Sequence, residues 1–164
     1  MEYSELIMRY LAMLEVPFTR SYIRKRMSTR PFGGSMFALS VMLTECNVSN
    51  KCIRLSDDEM LALSHPFITL LNGSFVIARK NDGGEIEVID ADGRKRYMPL
   101  DEFIAGWNHS ALVGFASEKS TETDYKEHRH DERVKHLMSI AVVSGAIIVF
   151  VAGLLGISGG GVLR

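Results

Sequence analysis

The feature that most constrains this chain is a long uncharged segment near its C-terminus. No ionisable residue occurs from Leu137 to Leu163, and the 21 residues from Leu137 to Ile157 are apolar except for two serines and three glycines. At ~1.5 Å rise per residue, such a helix spans about 30 Å, the thickness of a bilayer core. Because apolar residues lie on every face, the segment predicts one transmembrane helix over residues 135–158, with a buried core helix as the alternative.

The charges that flank this segment predict its orientation. Only Arg164 follows it, in a short tail at 159–164, whereas four basic residues precede it: Lys126, Arg129, Arg133 and Lys135. Because cytoplasmic flanks of membrane helices are enriched in Lys and Arg, we expect a single-pass protein whose N-terminal part lies in the cytoplasm.

The remaining length allows one further domain. The chain has 164 residues, and we place a domain at 1–116 and a polar juxtamembrane linker at 117–134. Nineteen basic against twenty acidic residues give a net charge of −1, so no chain-wide field would attract nucleic acid, and none is expected as a partner. Two cysteines and an acidic start without a signal peptide fit a domain that folds in a reducing compartment.

Helical periodicity gives way to strand periodicity along this domain. Ser4 and Thr19 are candidate caps, and the predicted helices are Glu5–Glu15, a basic helix ending at Arg26, Met36–Glu45 and Leu100–Trp107. The sequence from Ser56 to Glu59 predicts a capping box at the start of a further helix. Turn sequences such as Asn72-Gly73 separate the predicted strands, which are Cys52–Leu55, Phe67–Leu71, Ser74–Ala78, Glu85–Ile89, Arg96–Met98 and Ala111–Phe115. Helices followed by an antiparallel meander indicate an α+β domain.

Candidate chemistry in the side chains is sparse. Cys46 and Cys52 lie on either side of a turn and are expected to be buried or partly buried structural thiols, with pairing to His65 or His109 as the alternative. His128, His130 and His136 stand in a charged stretch whose spacing matches no common metal-ligand pattern. Neither a metal nor a cofactor is expected.

Four segments, in this order and spacing, resemble the double-glycine leader (bacteriocin-processing) cysteine peptidase family. They are Pro66-Phe67-Ile68-Thr69-Leu70, Asn72-Gly73-Ser74-Phe75-Val76-Ile77, Val88-Ile89-Asp90-Ala91-Asp92-Gly93 and Leu100-Asp101-Glu102-Phe103-Ile104-Ala105-Gly106-Trp107. The resemblance covers about residues 2–116 and implies a papain-like fold. Its details look closest to domains fused to vitamin K epoxide reductase-type membrane thiol oxidases, which carry a loop like Pro31-Phe32-Gly33-Gly34-Ser35.

The residues that would form the catalytic triad are largely absent. The resemblance puts the nucleophilic cysteine at the start of the first helix, where this chain has Ser4 and Glu5, and the histidine at the position of Ser74. Only Asp90 stands where the family has its orienting aspartate. Cysteine peptidase chemistry needs a thiolate and an imidazole that activates it, so we expect no proteolysis by this mechanism.

The resulting hypothesis is a catalytically inactive leader-peptidase-like domain anchored to the inner membrane. It would bind a leader peptide, or dock an export partner, in bacteriocin-type peptide maturation or export. The residues expected to contact the peptide lie on the helical side of the domain: Phe32, Met36, Phe37 and Met42. The alternatives are the front-end domain and first membrane helix of a thiol oxidase, and an active peptidase that uses Ser74 or Cys46 with His65 or His109.

Overall fold

The computed structural model describes residues 2–29, 34–81 and 83–139. The chain divides into two compact units, Met1–Tyr125 and Lys126–Arg164. The fold and the candidate site described below belong to the first unit.

Three helices form the N-terminal layer of this unit: α1 (Glu2–Met13), α2 (Arg20–Ser28) and α3 (Met36–Glu45). Ser35 caps α3 by accepting a hydrogen bond from the Ala38 amide. Two predicted caps are wrong. Helix α1 begins before Ser4, which is buried in its first turn, and the Thr19 side chain does not cap α2 although the residue occupies the N-cap position.

The strands form one antiparallel sheet in the order β1-β6-β2-β3-β4-β5. Their bounds are Ser49–Arg54, Phe67–Leu71, Ser74–Lys80, Ile86–Ile89, Lys95–Met98 and Ser110–Phe115 for β1 to β6. The predicted meander is confirmed in β2 to β5. Asn72 and Gly73 both adopt positive φ in the β2–β3 turn, as a tight hairpin requires. The sequence did not show that the last strand, β6, lies between β1 and β2.

The sheet buries both of its faces. One core contains Leu6, Tyr10, Leu11, Leu39, Met42, Leu43, Ile68, Ile77 and Leu112. The other involves two short helices, α4 (Asp57–Leu61) and α5 (Leu100–Gly106), and contains Met60, Phe67, Val76, Val88, Phe103, Trp107 and Val113. The predicted capping box of α4 is present. Helices packed on a single antiparallel sheet confirm the α+β class.

A buried tyrosine fixes α1 against the sheet. The Tyr10 hydroxyl donates to the Pro66 carbonyl at 2.9 Å and accepts from the Gly114 amide at 2.7 Å. A Cβ at residue 114 would lie 3.1 Å from the Tyr10 ring and 3.0 Å from Leu14, so glycine permits this close approach. Burial raises the pKa of Tyr10 to about 12, so the hydroxyl stays protonated and able to donate.

Residues 117–125, which fall in the predicted linker at 117–134, belong to the first unit and contact its helical part. The Glu122 carboxylate is 1% exposed and accepts hydrogen bonds from the Thr19 amide and hydroxyl, both at 2.7 Å. The Asn47 side-chain amide donates to the Thr121 carbonyl, and the Ser120 hydroxyl donates to the Asn47 carbonyl. The compact unit therefore extends to Tyr125.

In the C-terminal part, residues 125–139 are helical. Leu137 and Met138 are exposed there. Across 2–29, 34–81 and 83–139, no helix is both long enough and apolar enough to cross a membrane. Most of the predicted transmembrane segment, residues 140–158, lies outside the described residues.

Candidate functional site

A pocket of about 750 Å³ opens where α1 and α2 meet the β2–β3 hairpin and the turn after β4. Its floor includes the apolar side chains of Leu71, Phe75 and Ala91. The polar and charged residues that line it are Glu5, Arg24, Asn72, Ser74, Asp90, Asp92 and Arg96.

Three separate parts of the fold bring Glu5, Ser74 and Asp90 into this pocket. Glu5 lies in the first turn of α1, and Ser74 is the first residue of β3, directly after the Asn72-Gly73 turn. Asp90 follows β4, in a turn that its carbonyl closes by accepting from the Gly93 amide at 2.9 Å. Ser74 and Asp90, the two degenerate triad positions, therefore line one cavity together with Glu5.

Arginines partner the carboxylates of the pocket. Arg24 donates to Glu5 at 2.8 Å, and this hydrogen bond, together with the positive charges of Arg24, Arg20 and Arg9, holds the pKa of Glu5 below its usual value. Arg96 reaches the Asp90 carboxylate at 3.3 Å. The partner of Asp90 in this structure is thus a guanidinium, which supplies charge but cannot act as a general base at neutral pH.

Neither cysteine nor histidine occurs among the described residues that line the pocket. Cys46 is buried at the C-terminal end of α3, and burial raises the pKa of its thiol to about 12, whereas Cys52 is exposed on β1. The prediction that both thiols are at least partly buried is wrong for Cys52, which lies on an edge strand. A reactive cysteine needs surroundings that lower the pKa of its thiol, whereas the surroundings of Cys46 raise it.

The two candidate histidines have other neighbours. The His65 ring packs edge-on against Phe115, with ring centroids 5.7 Å apart. His109 lies against Trp107 and approaches the Asp57 carboxylate at 3.6 Å. Across the described parts of the chain, no group of three or more His, Cys, Asp or Glu residues is arranged to hold a metal ion.

Three of the four side chains predicted to contact a peptide, Met36, Phe37 and Met42, do not line this pocket. Phe37 is 77% exposed and Met36 is half-buried, but neither lines the cavity. Met42 cannot offer a surface contact because it is fully buried against the sheet together with Leu39 and Leu43. Phe32 lies outside the described residues.

Sequence reasoning missed the two arginines of the pocket. Arg24 belongs to the predicted basic helix, which we interpret as a solvated face, with contact to an acidic leader peptide or to lipid as the alternative. Arg96 is predicted only as a strand residue. Cross-strand register could have indicated Arg96, since β4 and β5 form a hairpin whose pairing of Val88 with Arg96 puts the arginine close to the end of β4.

A second cavity, of about 480 Å³, is lined by residues of the first turn of α1 and of α2. The described residues that line it are Tyr3, Ser4, Arg24, Lys25, Met27, Ser28 and Gly34. Arg24 lines both cavities, and the Tyr3 ring packs edge-on against Phe75 of the first pocket at 5.7 Å. The two cavities are therefore neighbours.

A helical layer on an antiparallel sheet, with a pocket where the first helix meets two sheet turns, is the arrangement of a papain-like cysteine peptidase fold. Residues 6–119 match the model of the Peptidase C39 family, and the chain belongs to that family. This confirms the resemblance found in the sequence.

Two solved structures share the fold. One is a double-glycine motif protease from an AMS/PCAT transporter in complex with the leader peptide, with a TM-score of 0.61 and 15% identity over 70% of this chain and 84% of that one. The other is the peptidase domain of Streptococcus ComA, a bifunctional ABC transporter involved in quorum sensing. Its TM-score is 0.54, with 13% identity over 65% of this chain and 85% of that one. No curated protein matches the sequence.

Proposed function

We propose that this chain is a catalytically inactive, membrane-anchored member of the family that binds a peptide in peptide maturation or export. The observation that carries the proposal is the pocket itself. The fold has kept a cavity at the triad positions but lines it with Glu5, Ser74 and Asp90 and without a thiol or an imidazole among its described residues.

The loss of peptidase chemistry follows from these side chains. A serine without a base to remove its proton is a poor nucleophile, and the carboxylates of Glu5 and Asp90 are each engaged by an arginine. Neither cysteine replaces the missing group, because Cys46 is buried and protonated and Cys52 is on a distant strand of the sheet, β1, at its opposite edge from β5.

Binding is supported by the size and lining of the pocket. A volume of about 750 Å³ with an apolar floor and several convergent polar groups is typical of sites that hold a ligand. One of the structures that share this fold was solved with a leader peptide bound. A segment of peptide, with apolar side chains for the floor and a backbone that hydrogen bonds to the rim, fits this chemistry.

Anchoring rests on the sequence. The apolar run from Leu137 to Ile157 has the length of a membrane span, and the basic residues before it favour a domain on the cytoplasmic side of the inner membrane. An anchored domain would hold a captured peptide next to a membrane partner that exports or processes it.

The test uses a double-glycine probe, which we define as a synthetic peptide with an amphipathic leader, a Gly-Gly pair and a short fluorescein-labelled tail. The full chain in detergent micelles should raise the anisotropy of the probe on binding. Ser74→Trp, which adds a large side chain at an exposed position of the pocket, should weaken binding by more than about tenfold.

Ser64→Trp is the matched control, because Ser64 is also exposed but does not line the pocket. It should bind the probe as the unsubstituted chain does. Equal affinities for both tryptophan variants would show that the probe binds elsewhere, and the absence of any binding would contradict the proposal.

A further inference from the structure

The two neighbouring cavities carry opposite charge. Three carboxylates and two guanidinium groups line the larger pocket, from Glu5, Asp90, Asp92, Arg24 and Arg96. In the smaller cavity the charged groups among the described lining residues are the cations of Arg24 and Lys25, accompanied by the hydroxyls of Tyr3, Ser4 and Ser28. Among the described lining residues, the larger pocket therefore has a formal excess of one negative charge, and the smaller cavity has an excess of positive charge.

An ion pair between Glu5 and Arg24 links the residues that line the two cavities. Glu5 and Arg24 are 2.8 Å apart, and Glu5 lines only the larger pocket, whereas Arg24 lines both cavities. The pair joins α1 to α2 at the wall that separates the cavities. Its position next to Ser74 and Asp90 puts it within reach of any ligand that occupies the site.

The pair is open to exchange with a ligand. The side chains of Arg24 and Glu5 are 54% and 34% exposed, and ion pairs that are this accessible to water contribute little to the stability of a fold. A cationic side chain of a peptide could therefore bind Glu5 in place of Arg24 at small cost. Arg24 would then be available to an anionic group in the smaller cavity.

We infer that the Glu5–Arg24 pair selects the charge pattern of the bound peptide, which carries a basic side chain for the pocket beside Ser74 and an acidic side chain for the cavity beside Lys25. This inference rests on the proposed function and adds the specificity of its site. Glu5 thus has a binding role at the place where the family has catalytic machinery.

The experiment measures the binding of three matched series of the double-glycine probe. The series carry Lys, Gln or Glu, respectively, at one leader position near the Gly-Gly pair, and this position is varied from probe to probe. At one or more positions, the full chain should bind the Lys probe about fivefold more tightly than the Glu probe, the preference that one exposed ion pair supplies. The double variant with Glu5→Arg and Arg24→Glu keeps the pair in reversed order and should prefer the Glu probe at the same position.

Salt provides the first control, because ~0.5 M NaCl should reduce the preference in both proteins while apolar contacts persist. If the double variant does not fold, Glu5→Gln supplies the test, since it should remove the preference for Lys without adding a charge.

The outcomes separate this inference from the proposed function. Binding of all three series with equal affinity, unchanged in the reversed or Glu5→Gln protein, would overturn the inference and leave peptide binding intact. No binding of any series by the unsubstituted chain would overturn both.

Discussion

The contact between Glu122 and Thr19 should be a major source of stability for the first unit, although the two residues are 103 positions apart. Glu122 is 1% exposed and Thr19 is 2% exposed, and the carboxylate accepts two hydrogen bonds of 2.7 Å. A hydrogen bond to a charged group contributes about 1.5–3 kcal/mol, and a buried donor left unpaired costs about 1–3 kcal/mol. Because these terms overlap, we expect Glu122→Ala to lower the free energy of unfolding by about 3 kcal/mol.

Conservative variants make the cause of this loss visible. Glu122→Gln keeps one acceptor for the Thr19 amide and should cost about 1 kcal/mol, whereas Thr19→Ser keeps the hydroxyl and should cost less than about 0.5 kcal/mol. Thr19→Val removes one hydrogen bond, and a double-mutant cycle with Glu122→Ala should give a coupling energy of about 1–2 kcal/mol.

Urea unfolding of the full chain can be followed by the fluorescence of Trp107, the single tryptophan, which is buried in the first unit. A loss below about 0.5 kcal/mol for Glu122→Ala would refute the reasoning, because a buried carboxylate with two donors cannot be removed at so small a cost.

Two further predictions concern buried titratable groups. A maleimide should label the exposed Cys52 at pH 8 within minutes but label Cys46 only after unfolding. The reason is that burial raises the pKa of the Cys46 thiol to about 12. Rapid labelling of Cys46 in the folded chain would contradict this prediction. Burial raises the pKa of Tyr10 to about 12, so its contribution to stability should be complete below pH 10. Because the unfolded chain ionises first, up to about 3 kcal/mol should be lost as the pH rises to 12. Urea unfolding at pH 8 to 12 should show this decline, and Tyr10→Phe should make it shallower; equal slopes would contradict it.

Local signals explain what the sequence predicted well. The Asn72-Gly73 turn and the capping box of Ser56 and Glu59 depend on residues only a few positions apart, so their conformations follow from side-chain chemistry and allowed φ values. The order of the family-like segments predicts Ser74 and Asp90 as two positions of one site, and both line the same pocket because they begin or follow strands of a regular meander.

Features that depend on distant contacts were beyond such reasoning. The insertion of β6 between β1 and β2 and the docking of Glu122 on Thr19 both join parts of the chain that no local pattern connects. Helix α3 shows a different difficulty. Apolar residues occur on all its sides, so periodicity could not decide that Met42 is in the core while Phe37 is exposed.

We propose above all that the chain binds a peptide without cleaving it, and one mixture tests both the binding and the absence of cleavage. The full chain in detergent micelles is incubated with the double-glycine probe, and native mass spectrometry follows the complex and the mass of the peptide together. We predict a complex with one intact probe, and the same amount of intact probe after prolonged incubation. Cleavage after the Gly-Gly pair that disappears in Ser74→Ala or Cys46→Ala would contradict the account.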